Sequence, residues 1–352
     1  MGESNWSLET LTDEWWSEVF GTGVRAGRPT RIGDGLVGMN LRYELDGDGV
    51  PASAVVKLAS TDPTSRATGI ALRNYEREVR FYNEIASTVE VRAPHCHFAD
   101  WNPASGDFVI VLEDMAPAEQ GNQITGCTLD QARVAVEELA RLHGPRWNDP
   151  TLRDIDWLGR RESGDDASQL SGIFHAVKAG FLAVFGDALR EVAGDDGPTM
   201  VDSLGDSLAG YVAAKTPPYT VTHGDYRLDN MLFAAGDGGV PCAVVDWQTP
   251  GHGNGISDLA YFIGAGLLPE ERRRHEWDLV EVYCRGVETY GHSLDREWVR
   301  EHYRRESLSG LIMAVVASQI VQRTERGDQM FAAMATRHVL QALDHDALSH
   351  CR

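Results

Sequence analysis

The sequence predicts an α+β chain of two lobes, a small β-rich lobe over residues 1–115 and a larger, mainly helical lobe over 116–352. Three observations predict it. Strand patterns with a glycine cluster fill the first third of the chain. Helical periodicity with capping signals dominates after Thr128. A single strand pair interrupts those helices, and acidic and amide residues bracket it.

Taken in order, Thr12 caps a short helix that carries Trp15, Trp16 and Phe20 and stops at Gly21. Arg31 to Leu45 is a glycine cluster followed by alternating residues. Ala54 to Leu58 is a short apolar run in which Lys57 ends the strand, and Gly47 and Gly49 mark the turn between the two segments. A helix is expected from about Gly69 to Ser87, with Leu72, Tyr75, Val79, Tyr82 and Ile85 on one face. Phe108 to Leu112 reads as a buried strand with a polar exit, Glu113-Asp114-Met115, and the lobes change near Met115 to Gly121. Thr128 and Gln131 form a capping box for a helix that runs to His143, before Gly144 and Pro145. Long helices are expected at about Pro269 to Tyr290, Asp295 to Arg323 and Gln329 to Ala347. The strand pair is Met231 to Phe233 and Cys242 to Val245, joined by Gly236-Asp237-Gly238-Gly239.

Composition narrows the class. A hydrophobic fraction of 42% supports a sizeable core, and a net charge of -21 repels nucleic acid and anionic lipid. The 5 cysteines are dispersed, with no Cys-x-x-Cys pair, which suits a reducing compartment. Met1 to Asp13 lacks the basic and apolar regions of a signal peptide. The apolar stretch Leu308 to Val321 is too short to span a bilayer and reads as a buried helix. A cytoplasmic chain with no membrane and no nucleic-acid partner is expected.

The strongest chemical signal is His223-Gly224-Asp225-Tyr226-Arg227-Leu228-Asp229-Asn230, then the strand pair, then Val244-Val245-Asp246-Trp247-Gln248. One short loop thus carries an aspartate and an asparagine, and a second aspartate closes the hairpin. Phosphoryl transfer to an alcohol needs such a set: a carboxylate to orient the hydroxyl and accept its proton, and two oxygen ligands for magnesium. Asp229 is the nearest rival base.

The run HGDYRLDN…VVDW resembles the superfamily of aminoglycoside phosphotransferases, choline kinases and ecdysteroid-kinase-like proteins, and DNMLF with VVDWQ…DLAYF is most similar to the last of these. The resemblance implies a bilobal protein-kinase-like fold, with ATP and Mg2+ as cofactors and a small hydroxylated molecule as acceptor. It implies Asp225 as catalytic base, Asn230 and Asp246 as magnesium ligands, and His223 as structural. Arg227 either touches the γ-phosphate or is a surface arginine. Gly33, Gly35 and Gly38 form a G-x-G-x-x-G that continues into strand, which favours a phosphate cover over a dinucleotide fold. Lys57 would pair the α- and β-phosphates, and Glu78 would hold it, while Glu76 and Glu84 read as solvated helix charges. The backbone of Glu113 to Met115 would meet adenine. Asp258 is either a helix cap or a brace for the catalytic loop. Gly251-His252-Gly253-Asn254-Gly255 reads as a flexible connection, and Trp147, Trp157 and Trp277 as packing residues.

The function this implies is an ATP-dependent small-molecule kinase. A protein kinase is disfavoured because the stretch from Asp246 to Asp258 is too short for a peptide-binding segment and Gly224 replaces an arginine. A pseudokinase that binds nucleotide without turnover is the alternative; it predicts the loss of Lys57, Asp225, Asn230 or Asp246, and all four are present.

Overall fold

The computed structural model of the chain describes residues 5–33, 38–160, 166–235 and 239–351. Gly35 and most of the expected turn, Gly236 to Gly238, lie outside the described residues. The chain divides into two compact units. One comprises the residues up to Thr88, Arg92–Ala118 and Val244–Thr249; the other comprises Val89–Val91, Glu119–Ala243 and the chain from Pro250 onward.

The N-terminal unit is built on an antiparallel sheet. Helix α1 (Asp13–Phe20) starts where the Thr12 side chain accepts the Trp15 N–H and ends at Gly21, in the left-handed region. Strands β1 (Arg25–Ala26), β2 (Thr30–Arg31), β3 (Gly38–Asp46) and β4 (Ser53–Ala59) precede helices α2 (Pro63–Ala71) and α3 (Asn74–Arg80). A π-helical turn, Phe81–Ile85, continues α3. Strands β5 (Cys96–Trp101) and β6 (Phe108–Glu113) complete the order β1-β3-β4-β6-β5, with β2 also on β3. Strand alternation sorts two faces. Leu41, Tyr43, Leu45, Ala54, Val56, Leu58, Val109 and Val111 pack with Trp16 in one core. The opposite face carries Lys57, paired across the strands with Asn40 and Ile110.

The N-terminal unit departs from the sequence expectation at three places. Lys57 does not end its strand, which runs on to Ala59 through ladder pairs with β3. The single helix expected over Gly69 to Ser87 is broken at Arg73, whose φ is 57°, so Leu72 is exposed rather than on the buried face. Glu76 is not a solvated charge: it is buried and takes two hydrogen bonds of 2.7 Å from Arg73.

The other unit is mainly helical. Strand β7 (Glu119–Gln120) leads to α4 (Leu129–His143), which opens with the expected Thr128–Gln131 capping box. Strand β8 (Gly159–Arg160) precedes α5 (Asp166–Ala193) and α6 (Asp196–Ala213), followed by strand β9 (Thr220–Thr222). Next come β10 (Met231–Phe233), β11 (Cys242–Val244) and β12 (Gly251–Gly253). Helices α7 (Ile256–Gly266), α8 (Pro269–Glu288), α9 (Arg296–Ile320) and α10 (Glu325–Asp344) close the order. The expected flexible connection is instead β12, a buried strand parallel to β8 and antiparallel to β9. Its pairing partners lie far away in sequence, so local composition gave no sign of it. The core joins α5, α6, α7, α9 and α10 through Phe174, Phe181, Leu204, Tyr261, Leu311 and Val339. Leu308, Leu311 and Val315 are buried in α9, as the apolar stretch required. Sequence reading passed over α5, which by length and composition alone is long and apolar enough to cross a bilayer; Phe174, Phe181, Phe185 and Leu189 bury one face of it in this core.

Candidate active site

In the N-terminal unit, three of the expected residues meet. Lys57 Nζ donates to Glu78 Oε1 at 2.5 Å and to Asp246 Oδ1 at 3.1 Å. The Glu78 side chain is fully buried, that of Lys57 is 9% exposed and that of Asp246 is 36% exposed. Burial disfavours the Lys57 ammonium, but the charges of Asp246 and Glu78 outweigh it and raise its pKa. For Glu78 burial dominates and pushes the carboxyl upward, against the opposing pull of Lys57. Gln248 Nε2 adds a 3.4 Å contact to Glu78 Oε2.

Asp246 itself is held at φ 68°, a left-handed conformation uncommon for aspartate. The next residue anchors it. Trp247 stacks on Phe81 with ring centroids 3.8 Å apart, and its Nε1–H donates to Val244 O at 3.2 Å. Gly33 sits between β2 and β3 at φ 66°, and Gly38 opens β3 opposite Ala59. The Glu113 side chain is occupied, accepting from Arg92 at 2.6 and 2.7 Å and from the His95 N–H at 2.9 Å. Arg92 also donates to Met115 Sδ at 3.6 Å. A concavity of about 690 Å³, lined by Arg42, Glu44, Ser53 and Asp114 among others, shares no lining residue with the Lys57 set.

In the helical unit, the loop from His223 to Asn230 is held by its surroundings. Asp258 accepts the backbone N–H of His223 at 2.6 Å and of Gly224 at 3.0 Å, so it braces the loop. Gly224 has φ 83°, which a residue with a Cβ adopts only under strain. Asp225 then collects side-chain donors. Arg227 Nε donates to both of its oxygens at 3.0 Å, Tyr261 Oη to Oδ1 at 2.8 Å and Asn230 Nδ2 to Oδ2 at 3.0 Å. Burial would raise the Asp225 pKa, but Arg227, the Tyr261 hydrogen bond and His223 together bring it below the ordinary value, so the carboxylate stays ionised. Burial, then the Asp225 charge, pushes the Tyr261 phenol well above its usual range and keeps it a donor.

The rival aspartate has another task. Asp229 is buried and accepts from the Gln123 N–H at 2.9 Å, from Arg227 at 2.9 Å and from Arg326 at 3.1 and 3.2 Å. Arg227 is therefore no free surface arginine: its side chain is 15% exposed and bridges two aspartates. Tyr261, Gln123 and Arg326 were not singled out in the sequence. For Tyr261 a signal existed, since it lies three residues after Asp258 on one helix and therefore on the same face.

The donor atoms suit a hard cation. Asn230 commits its Nδ2 to Asp225 O and Oδ2, which leaves the amide oxygen as its cation-binding end. Asp246 gives one oxygen to Lys57 and keeps part of its carboxylate exposed. Carboxylate and amide oxygens are what magnesium takes.

Residues 37–295 match the Ecdysteroid kinase-like family. No curated protein gives a significant sequence match. Among solved structures, the chain is similar to a choline kinase from Cryptosporidium parvum Iowa II, with TM-score 0.55 and 12% identity over 91% of this chain and 89% of that one. It is similar to aminoglycoside 2'-phosphotransferase-IIIa in its GDP complex, with TM-score 0.51 and 13% identity over 89% of this chain and 93% of that one. The choline kinase of Streptococcus pneumoniae gives TM-score 0.50 and 11% identity over 94% and 98%. At such identities the likeness is one of fold, and it is the bilobal kinase-like fold.

Proposed function

The chain belongs to the ecdysteroid kinase-like family, and on that footing we propose that it is an ATP-dependent kinase of a small hydroxylated molecule. The observation that carries the reading is the setting of Asp225. Its carboxylate stands in a loop pinned by Asp258, is kept ionised by its donors, and remains 22% exposed. The fold it shares with choline and aminoglycoside kinases supports the same class.

In this reading the acceptor oxygen attacks the γ-phosphorus, the bond from that phosphorus to the ADP oxygen breaks, and the hydroxyl proton passes to Asp225 and then to solvent. ATP and an alcohol become ADP, a phosphate monoester and a proton. Asp225 orients the hydroxyl and accepts the proton late, as a loose transition state requires. Lys57, fixed by Glu78, neutralises the α- and β-phosphates. Arg227, already next to Asp225, offsets charge that develops on the γ-phosphoryl oxygens. Gly33 and Gly38, with Gly35 between them in sequence, would supply the phosphate cover, and the backbone of Glu113 and Met115 would meet adenine. Asn230 and Asp246 would hold Mg2+, which when bound would offset phosphate charge.

Calorimetric titration of ATP with and without Mg2+ tests the nucleotide side without knowledge of the acceptor. Magnesium-dependent binding is expected for the native chain, and Asp246→Ala is expected to weaken that binding markedly. Identical titrations for both proteins would contradict the assignment of Asp246.

A further inference from the structure

We infer that Tyr261 is a positioning residue for phosphoryl transfer, whose phenol fixes the orientation of the Asp225 carboxylate while the acceptor hydroxyl engages it. This rests on the reading of Asp225 as the base. An ionised carboxylate offers about four acceptor positions. Oδ1 receives Tyr261 and Arg227, and Oδ2 receives Asn230 and Arg227, so the four are taken. An incoming alcohol must displace one donor.

The three donors differ in what they would lose. Arg227 divides a single Nε–H between both oxygens, and its Nη1 holds Asp229 Oδ2 at 2.9 Å and contacts Met330 Sδ at 3.1 Å. It keeps those partners if its Nε turns away. Asn230 Nδ2 also donates to the Asp225 main-chain oxygen at 2.8 Å. The Tyr261 hydroxyl has no other hydrogen-bond partner among the described residues, and the residue is 3% exposed. Releasing Asp225 would leave that hydroxyl buried and unpaired, at the full cost of its desolvation. Arg227 is thus the donor that yields, and Tyr261 the one that stays.

The helix behind Tyr261 makes the restraint stiff. Asp258, one turn earlier in α7, fixes the backbone N–H groups of His223 and Gly224. The same helix face therefore sets the main chain at 223–224 and the carboxylate at 225. The Tyr261 ring lies in the main core of this unit, with its centroid 5.4 Å from that of His338, so the phenol has little room to follow a wandering carboxylate. Misplacement of a reacting group by about 1 Å costs on the order of 10²-fold in rate.

The test is a double-mutant cycle with Tyr261→Phe, Asp225→Asn and the double variant. Each is assayed for transfer to an acceptor, or to water as slow ATP hydrolysis, and for magnesium-ATP affinity. Tyr261→Phe keeps the ring, so folding is checked by melting, and Tyr261→Met provides a second variant that lacks the hydroxyl. The expected result is a kcat loss of about 10–10²-fold with unchanged nucleotide affinity. In the Asp225→Asn background the same change should cost nothing further, because the group through which Tyr261 acts is already altered. Losses that multiply, or native kcat in both Tyr261 variants, overturn the inference. If Asp225→Asn is itself near normal, the base assignment fails instead, and a native chain without any turnover removes both.

Discussion

Lys57 is where burial and charge compete most directly. Its ammonium is nearly enclosed, yet it lies 2.5 Å from one carboxylate and 3.1 Å from another. Sequence reasoning assigned the lysine to phosphate orientation alone; the structure gives it a second duty, because Glu78 has no exposure and, among the described residues, only a long contact to Gln248 besides. Lys57→Met therefore abandons a buried carboxylate and is expected to destabilise the protein by about 3–5 kcal/mol in urea unfolding. Lys57→Met with Glu78→Gln should recover most of that stability and leave ATP binding impaired. If the single variant unfolds at the native midpoint, Glu78 is not held by Lys57. At this scale the sequence showed the partners well, since a strand lysine and a helix glutamate were paired correctly. It showed their environments poorly. Glu76 looked solvated because nothing local announces the break at Arg73, the positive-φ residue that donates twice to it; Arg80 reaches it as an ordinary i,i+4 partner.

Elements with local signals were the legible ones. The Thr12 cap with its Gly21 stop, the Thr128–Gln131 box and the strand pair appear where their residues demand. β12 did not announce itself, because only ladder partners distant in sequence make Gly251–Gly253 a strand. The contact of α9 with α10 is equally invisible in sequence and has a titratable consequence. His338 in α10 is fully buried, and its Nδ1 lies 3.2 Å from Gln341 Oε1. Gln341 Nε2 donates to Ala260 O, so the amide oxygen accepts and Nδ1 carries the imidazole proton. Among the described residues Nε2 has no hydrogen-bond partner, and it faces Gly310, where an added Cβ would come within 2.0 Å of it. Burial above all holds the His338 pKa down, to about 3 from an ordinary 6.5. The unfolded chain therefore binds the proton that the folded chain refuses. The contribution of His338 is intact above about pH 6.5 and declines as pH falls toward about 3, with a loss on the order of 2 kcal/mol at about pH 5. Urea midpoints at neutral and mildly acid pH should show that decline in the native chain and a smaller one in His338→Gln. Equal slopes would contradict it.

For the whole molecule, the fold class was legible, and the residues proposed for the donor side lie in the same short runs that carried it. Asp225, Arg227 and Asn230 form one hydrogen-bonded set and Lys57, Glu78 and Asp246 another. The acceptor side left no such run. Helices such as α5 and α10 find their neighbours by packing and not by spacing, so no short run in them marks an acceptor. Net charge carried only a coarse expectation against polyanionic partners. The central claim is that Asp225 drives transfer of a phosphoryl group to a small alcohol, and the most direct measurement is mass spectrometry of a hydroxyl-compound library incubated with ATP and Mg2+, using the native chain and Asp225→Asn in parallel. The expected result is an acceptor that gains the mass of one phosphate with the native chain, and a rate lower by about 10²–10⁴-fold with Asp225→Asn while ATP affinity is retained. Equal product from both proteins, or no product alongside an absence of magnesium-dependent ATP binding, would contradict the account.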